Sequence, residues 1–291
     1  MSKKHPVIAV TGSSGAGTTT VKSTFEQIFR RERVNAAYVE GDAFHRFDRK
    51  AMKEEMTRHE AAGDHNFSHF GPDGNLFGEL ETLFRNYSES GTGRTRFYIH
   101  NAEEGARLGG EPGTFTEWRD LPENSDVLFY EGLHGAAKDG DIDVGRYADL
   151  RIGVVPVINL EWIQKIHRDS STRGYSTEAV MDTILRRMPD YVHYICPQFS
   201  RTDINFQRVP TVDTSNPFIA RWIPTPDESM VVIRFANPYG IDFPYLLSMV
   251  PQSFMSRANS IVIPGNKLDI AMQLIFTPMV HRLMDQKRRV S

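Results

Sequence analysis

Apolar and polar positions alternate along the chain in two rhythms, short apolar runs and amphipathic stretches, which take turns from one end to the other. Val7-Ile8-Ala9-Val10 is an apolar run of the length of a buried strand, and a glycine-rich turn follows it. Behind that turn Val21, Phe25, Ile28 and Phe29 recur at helical spacing. The pattern predicts a strand over residues 35–40, a charged helix over 49–62, and a helix whose apolar face is Leu76, Leu80, Leu83, Phe84 and Tyr87. Residues 63–74 read as a loop holding His65 and His69, residues 96–100 alternate as a strand does, and the glycine- and acid-rich stretch 101–124 reads as mostly loop. Residues 126–130 and 150–155 read as buried strands. A helix with Leu160, Ile163 and Ile166 on one side is expected over 159–169, then a small polar loop over 169–176, DSSTRGYS, then a helix over 177–188. Residues 191–214 read as irregular and punctuated by proline, 230–235 and 260–263 as strands, and about 268–287 as a helix. This alternation predicts an α/β fold with a mixed, largely parallel sheet and helices on both faces. With no internal repeat and no clear linker, residues 1–291 are expected to form a single domain with a polar lid segment near 165–176.

Composition narrows the functional classes. The chain has 291 residues, ample for a large core. Its net charge is −3, so no global basic field argues for nucleic acid as a partner. No apolar run approaches the roughly 18 residues of a membrane span, and the N-terminal one is too short for a signal sequence. Cys196 is the single cysteine, so no intramolecular disulfide can form, and a cytoplasmic location is expected.

The glycine turn carries the clearest chemistry. Strand, glycine loop and helix make a phosphate-binding P-loop, in which backbone N–H groups and a helix N-terminus converge on one anion. Gly12, Ser13, Ser14, Gly15, Ala16 and Gly17 would form the cradle, with Thr18, Thr19 and Thr20 opening the helix. Gly12 and Gly17 have the spacing of G-x-x-x-x-G-K-[ST], but position 18 is threonine where the pattern has lysine. Thr19 stands where a P-loop places its magnesium ligand. Glu131, at the end of the strand over 126–130, matches the carboxylate that holds magnesium in such sites. Asp42 lies just beyond a strand end, where open α/β sheets bind ligands, and His45, Arg46 and Arg49 follow it. A carboxylate beside cations suits an anionic substrate whose hydroxyl gives up a proton. Lys165, Arg168, Asp169 and Arg173 supply the best source for the charge missing at Thr18.

Competing readings are weaker. The short-chain dehydrogenase glycine pattern is one residue short here, and no tyrosine has lysine four residues on, as that class requires. Asn266-Lys267-Leu268-Asp269 spells the guanine-reading N-K-x-D, yet no apolar strand ends in D-x-x-G, and a helix start explains it better. His59, His65 and His69 complete no zinc ligand set of familiar spacing.

Taken together, GSSGAGTTTV, EGDAFHR, FYEGLHG and HRDSSTRGYS resemble the phosphoribulokinase and uridine kinase family, and within it the bacterial sugar-phosphate branch, over nearly the whole chain. The resemblance implies a P-loop kinase fold and ATP- and magnesium-dependent phosphorylation of D-ribulose 5-phosphate to the 1,5-bisphosphate of the Calvin cycle. It implies that Asp42 is the base, that Lys165 stabilises the transferring phosphoryl group, and that Glu131 and Asp169 are magnesium or catalytic carboxylates. His45, Arg49, Arg168 and Arg173 would bind sugar phosphate, with Tyr98 and His100 as further substrate candidates. The alternative within the fold is a uridine or other nucleoside kinase, which would offer aromatic and amide groups to a base. The family's regulatory cysteine pair has no counterpart here, because no cysteine lies in the glycine loop. The resemblance further implies a homo-oligomer, an octamer, activated by NADH and inhibited by AMP, with Arg31, Arg234 and Arg257 as candidate effector contacts.

Overall fold

The computed structural model describes residues 4–13 and 17–290, with the side chains of residues 172, 173 and 290 left out. Ser14, Gly15 and Ala16 of the glycine turn therefore lie outside the described residues, as does the Arg173 side chain. The chain begins with β1 (Val7–Thr11), α1 (Thr18–Glu32), β2 (Ala36–Glu40), α2 (Arg49–Ala61) and α3 (Phe77–Ser90). Short elements follow: β3 (Arg94–Thr95), α4 (Ala102–Leu108) and β4 (Arg119–Asp120). Then come β5 (Val127–Gly132), the small hairpin of β6 (Lys138–Asp139) and β7 (Ile142–Asp143), and β8 (Leu150–Val155). Two helices, α5 (Ile158–Arg173) and α6 (Thr177–Asp190), lead to β9 (Ile204–Pro210) and β10 (Ser229–Phe235). The last elements are α7 (Phe243–Met249), β11 (Phe254–Arg257), β12 (Ser260–Pro264) and α8 (Leu268–Val290).

Eight strands form the main sheet in the order β11-β12-β10-β9-β8-β1-β5-β2. From β9 to β2 the neighbours are all parallel; β10, β12 and β11 add an antiparallel wing. β1 is central, with Val7 opposite Leu128 on one side and Ile8 opposite Leu150 on the other. A parallel strand covered on both faces has no use for polar alternation, which is why its start reads Val-Ile-Ala-Val without a break. Val7 and Ala9 join the core that contains Phe84 and Tyr87 of α3. Ile8 and Val10 join the larger core beneath α1, α7 and α8. There Phe25 stacks on Phe276 at 4.5 Å between ring centroids and meets Phe129 at 5.1 Å.

Several segments differ from the sequence pattern, each for a local reason. The loop expected over 169–176 is mostly helix. Polar side chains at its start bond within the helix: Lys165 reaches Asp169, and the Ser171 hydroxyl donates to the His167 carbonyl. α5 runs on until Gly174, whose backbone is left-handed at φ 70°, and Ser176 then caps α6 by accepting from Ala179 N. Only residues 174–176 remain outside both helices. β9 lies inside the stretch read as irregular; only Ile204 and Phe206 of its first five residues are buried and apolar, with Asn205, Gln207 and Arg208 breaking the run. Residues 96–100 form no continuous strand, since Tyr98 makes only one isolated bridge, to Phe115. The 101–124 stretch holds α4, capped by Asn101 accepting from Glu104 N. The pattern also missed α7 and β11. Among the described residues no helix is long and apolar enough to cross a membrane.

Phe25→Ala removes a ring that is 0% exposed at the centre of this aromatic cluster. We expect unfolding free energy to fall by about 3–5 kcal/mol, the usual scale for truncating a core phenylalanine. Equilibrium denaturation in urea checks this, and a loss under about 1 kcal/mol would place the fold's main packing elsewhere.

Candidate active site

β1, β2, β5 and β8 run the same way, so their carboxyl ends open on one edge of the sheet. The strand ends come closer than side chains would permit. A Cβ on Gly41 would lie 2.7 Å from the Gly132 Cα and 2.7 Å from the Tyr130 hydroxyl. Only two glycines allow that contact, and it brings Asp42 within electrostatic reach of Glu131. Glu131 is not beyond its strand but inside the last turn of pairing, opposite Val10 and Glu40.

Asp42 sits in the short helical turn after β2 among imidazoles. Its Oδ1 is 3.2 Å from His45 Nε2 and its Oδ2 is 3.7 Å from His100 Nε2. The His69 ring centroid lies 4.6 Å from that of His45, and the Tyr98 ring packs edge-on against His100 at 4.9 Å. Arg49 donates to the His100 carbonyl at 3.2 Å. Arg96 fixes the turn from behind, donating to the Ala43 carbonyl at 2.8 Å and the His45 carbonyl at 2.6 Å while lying over the Phe115 ring. Burial alone would raise the Asp42 pKa, but the His45 hydrogen bond and the imidazoles of His45, His100 and His69 outweigh it and hold it at about 2. Asp42 is thus a carboxylate throughout the neutral range. Burial pushes His69 well below its ordinary value and His134 down to about 3. The structure therefore brings together Asp42, His45, Arg49, Tyr98 and His100. Arg46 instead turns to the carbonyls of Asp73 and Asn75.

At the P-loop, Gly12 N donates to the Gly132 carbonyl at 3.1 Å. A side chain at Gly12 would meet Thr18 Cγ2 at 2.8 Å and the Val154 carbonyl at 2.9 Å, so the backbone itself lines the cradle. Thr18 is buried with its hydroxyl against Glu131. Thr19 and Thr20 are exposed and line a polar cavity of about 250 Å³ with Asp269 and Gln273 of α8. Burial pushes Glu131 up, against the pull of Thr18 and Lys22. A desolvated carboxylate beside hydroxyls is a fitting oxygen donor for magnesium. Among the described residues no three histidine, cysteine or acidic side chains form a metal cage, and magnesium on a nucleotide, held largely by phosphate and water, needs none.

The remaining groups come from α5. Glu161, Lys165 and Asp169 are four residues apart and share one helix face. Lys165 Nζ is 2.6 Å from Asp169 Oδ2, and Arg168 Nε is 3.0 Å from Oδ1. Burial opposes the ionised Asp169, but the Lys165 hydrogen bond and both cations hold its pKa down; burial also lowers Lys165. Arg187 of α6 lies close enough to both Lys165 and His69 to disfavour their charged forms, so the α5–α6 pair sits beside the loop before α3. Ser68 donates to Asp190 at 2.8 Å at the same junction. Of the effector candidates, Arg31 bonds Gln273 and Thr277 of α8. Arg234 and Arg257 are exposed and flank Ser260 in one row across β10, β12 and β11.

Sequence reading missed several site residues. Lys22 bonds Glu40 at 2.8 Å and acts on Glu131; its place one helical turn after Thr18 was the signal. Glu161, raised by burial, accepts from the Tyr191 hydroxyl at 3.0 Å next to the buried Ser13, and its i, i+4 relation to Lys165 could have found it. Gln198 bonds Thr11 at 3.0 Å, Ala136 N at 3.1 Å and the Leu133 carbonyl at 2.9 Å, contacts without any local signal.

His45→Gln removes the largest group opposing burial at Asp42. The Asp42 pKa then rises, so the pH below which the base is lost moves upward. We expect the acid limb of kcat/KM for the phosphoryl acceptor to shift to higher pH. A limb that stays in place would show that Asp42 is not the titrating base.

Comparison with known proteins accords with this geometry. Residues 7–215 match the phosphoribulokinase / uridine kinase family model. Phosphoribulokinase of Nitrobacter vulgaris is 70% identical over 289 residues, covering 99% of this chain and 100% of the relative. The chromosomal phosphoribulokinase of Cupriavidus necator is 66% identical over 291 residues, 100% of both chains. The solved phosphoribulokinase from Rhodobacter spheroides superposes with a TM-score of 0.90 at 64% identity, covering 98% of this chain and 99% of that one. With matches of this length and identity, the chain belongs to the phosphoribulokinase / uridine kinase family.

Proposed function

We propose that this chain is a phosphoribulokinase, a phosphotransferase that uses ATP to convert D-ribulose 5-phosphate into D-ribulose 1,5-bisphosphate, the carbon dioxide acceptor of the Calvin cycle. The observation that carries the reading is the end-to-end identity to phosphoribulokinases. The geometry supports the chemistry: an ionised carboxylate, Asp42, faces the same edge as the P-loop. In this reading Asp42 accepts the proton of the substrate hydroxyl as its oxygen bonds to the γ-phosphorus of ATP and the bond to ADP breaks. The Gly12–Gly17 backbone and Thr18, Thr19 and Thr20 hold the nucleotide phosphates. Magnesium, with Thr19, Glu131 and Asp169 as the candidate donors, would neutralise charge on the phosphates. Lys165 supplies the cation that Thr18 does not, and His45, Arg49, Tyr98, His100, Arg168 and Arg173 bind the sugar phosphate. The cluster of cations and imidazoles around Asp42 favours a phosphorylated sugar over uridine, the alternative within the family.

Family resemblance supports the rest of the proposal: a homo-oligomer, an octamer, in the cytoplasm, activated by NADH through a site that includes Arg31, Arg234 and Arg257. The lid function of residues 165–176, within one kinase domain, belongs to the same reading.

Coupled detection of ADP with ribulose 5-phosphate or uridine as acceptor tests the substrate; faster turnover of uridine would overturn the reading. Asp42→Asn should lower kcat by roughly 10²–10⁴-fold, the scale of a lost general base, with smaller effects on either KM. A near-normal kcat would reduce Asp42 to a turn residue. Lys165→Met should lower kcat by roughly 10²–10³-fold, the scale of one lost transition-state donor, and leave KM for ribulose 5-phosphate little changed. An effect confined to that KM would assign Lys165 to the sugar phosphate instead.

A further inference from the structure

Asn75 is buried, 2% exposed, directly behind His45. Its amide orientation is determined by its surroundings. Nδ2 donates to two carbonyls, His69 at 2.8 Å and Gly71 at 2.6 Å. The reverse orientation would set an oxygen against both. Oδ1 is therefore the atom facing His45 Nδ1, at 2.8 Å. An amide oxygen only accepts, so His45 Nδ1 must carry a proton. Nε2 lies 3.2 Å from Asp42 Oδ1, and a carboxylate oxygen likewise only accepts, so Nε2–H is the donor to Asp42 and in this arrangement the ring carries a proton on both nitrogens. The other groups around the ring are His69, tilted against it at 4.6 Å between centroids, and Arg96, which holds the His45 carbonyl. Neither takes the place of the Asn75 acceptor.

We propose that Asn75 is a positioning residue for phosphoryl transfer: by accepting from His45 Nδ1–H it fixes the plane of the ring and aims Nε2–H at Asp42 Oδ1, and so presents Oδ2 as the oxygen that takes the substrate proton. The inference rests on the reading of Asp42 as the base. In the step itself the substrate O–H proton moves to Asp42 Oδ2, the substrate oxygen forms its bond to the γ-phosphorus, and the electron pair of the broken P–O bond leaves with ADP. His45 in this account orients the base, a different task from gripping the sugar's phosphate. Without Asn75 the imidazole can rotate, and the carboxylate loses its fixed orientation.

A double-mutant cycle tests this on the full-length protein. Asn75→Ala should lower kcat by about 10–100-fold, the usual scale when a residue that orients a functional group is removed, with KM for ATP unchanged. In a His45→Gln background the same Asn75→Ala change should alter kcat by less than about twofold, because the route through His45 has gone. Equal losses in both backgrounds, or an unchanged kcat in the single variant, overturn the proposal; a loop that merely collapsed would damage both backgrounds alike. Should Asn75→Ala not fold, solid-state ¹⁵N spectra of the histidine-labelled wild-type chain decide. The resonances that vanish in His45→Gln must include a protonated Nδ1 and a protonated Nε2, and either nitrogen unprotonated overturns the inference. If instead Asp42→Asn retains near-normal kcat, it is the assignment of the base that has failed, not the action of Asn75 on His45.

Discussion

The site depends on a backbone contact. β2 and β5 can approach at their carboxyl ends because Gly41 and Gly132 present no side chains to each other, and the Tyr130 hydroxyl fills the space beside them. Parallel pairing sets the direction of the strands, and this contact sets how close the turns that follow can come. Asp42 belongs to one turn and Glu131 to the other strand end, while Gly12 is tied to the same Gly132 by a hydrogen bond. Asp42, Glu131 and Gly12 therefore share one rigid anchor built by the sheet, where a loop would have placed them with less certainty.

Buried charge is the second constraint, and each acid at the edge answers it differently. Asp42 keeps its charge through imidazole, and Asp169 through Lys165 and Arg168. Glu131 and Glu161 are less well compensated, and burial raises both. The P-loop has threonine where its pattern has lysine, and the lysines described at the site stand elsewhere, Lys22 one turn along α1 and Lys165 on α5. Lys22 is spent on Glu40, and Lys165 is shared with Asp169. A divalent cation at Glu131, as the phosphates would bring, meets a carboxylate that burial has left short of positive charge.

Much of this was legible in the sequence where the signal is local. The strand, glycine turn and helix at 7–32, Asp42 after its strand, and the apolar faces of α1 and α3 all follow from periodicity within one element. The antiparallel wing was harder: β9 mixes polar residues into its run, and β11 is an exposed four-residue edge. Asn75, Gln198 and Tyr191 were invisible because their partners are contributed by other parts of the chain, and no spacing rule brings them together. The polar run after Asp169 failed in the opposite direction. Its serines and charges look like a loop, but their side chains bond to the preceding turn, so the helix continues.

That continuation changes what the segment can do. On a flexible loop Lys165, Arg168 and Asp169 would search for substrate independently. On α5 they are set at fixed intervals, with Glu161 one turn earlier hydrogen-bonded to Tyr191 and Arg187 on the neighbouring α6 acting on Lys165 from the other side. The helix can therefore bring its groups to the P-loop only together. The break at residues 174–176 lies after the charged face, between α5 and α6, so a rotation there would move α6 and its Arg187 relative to the Lys165–Asp169 pair. The Asp42 side is stiffer, because Asn75 and Arg96 bond its turn at His45 and tie it to two separate segments. The cleft thus has one wall that is locked by hydrogen bonds and one that is a helical arm carrying its charged groups at fixed intervals.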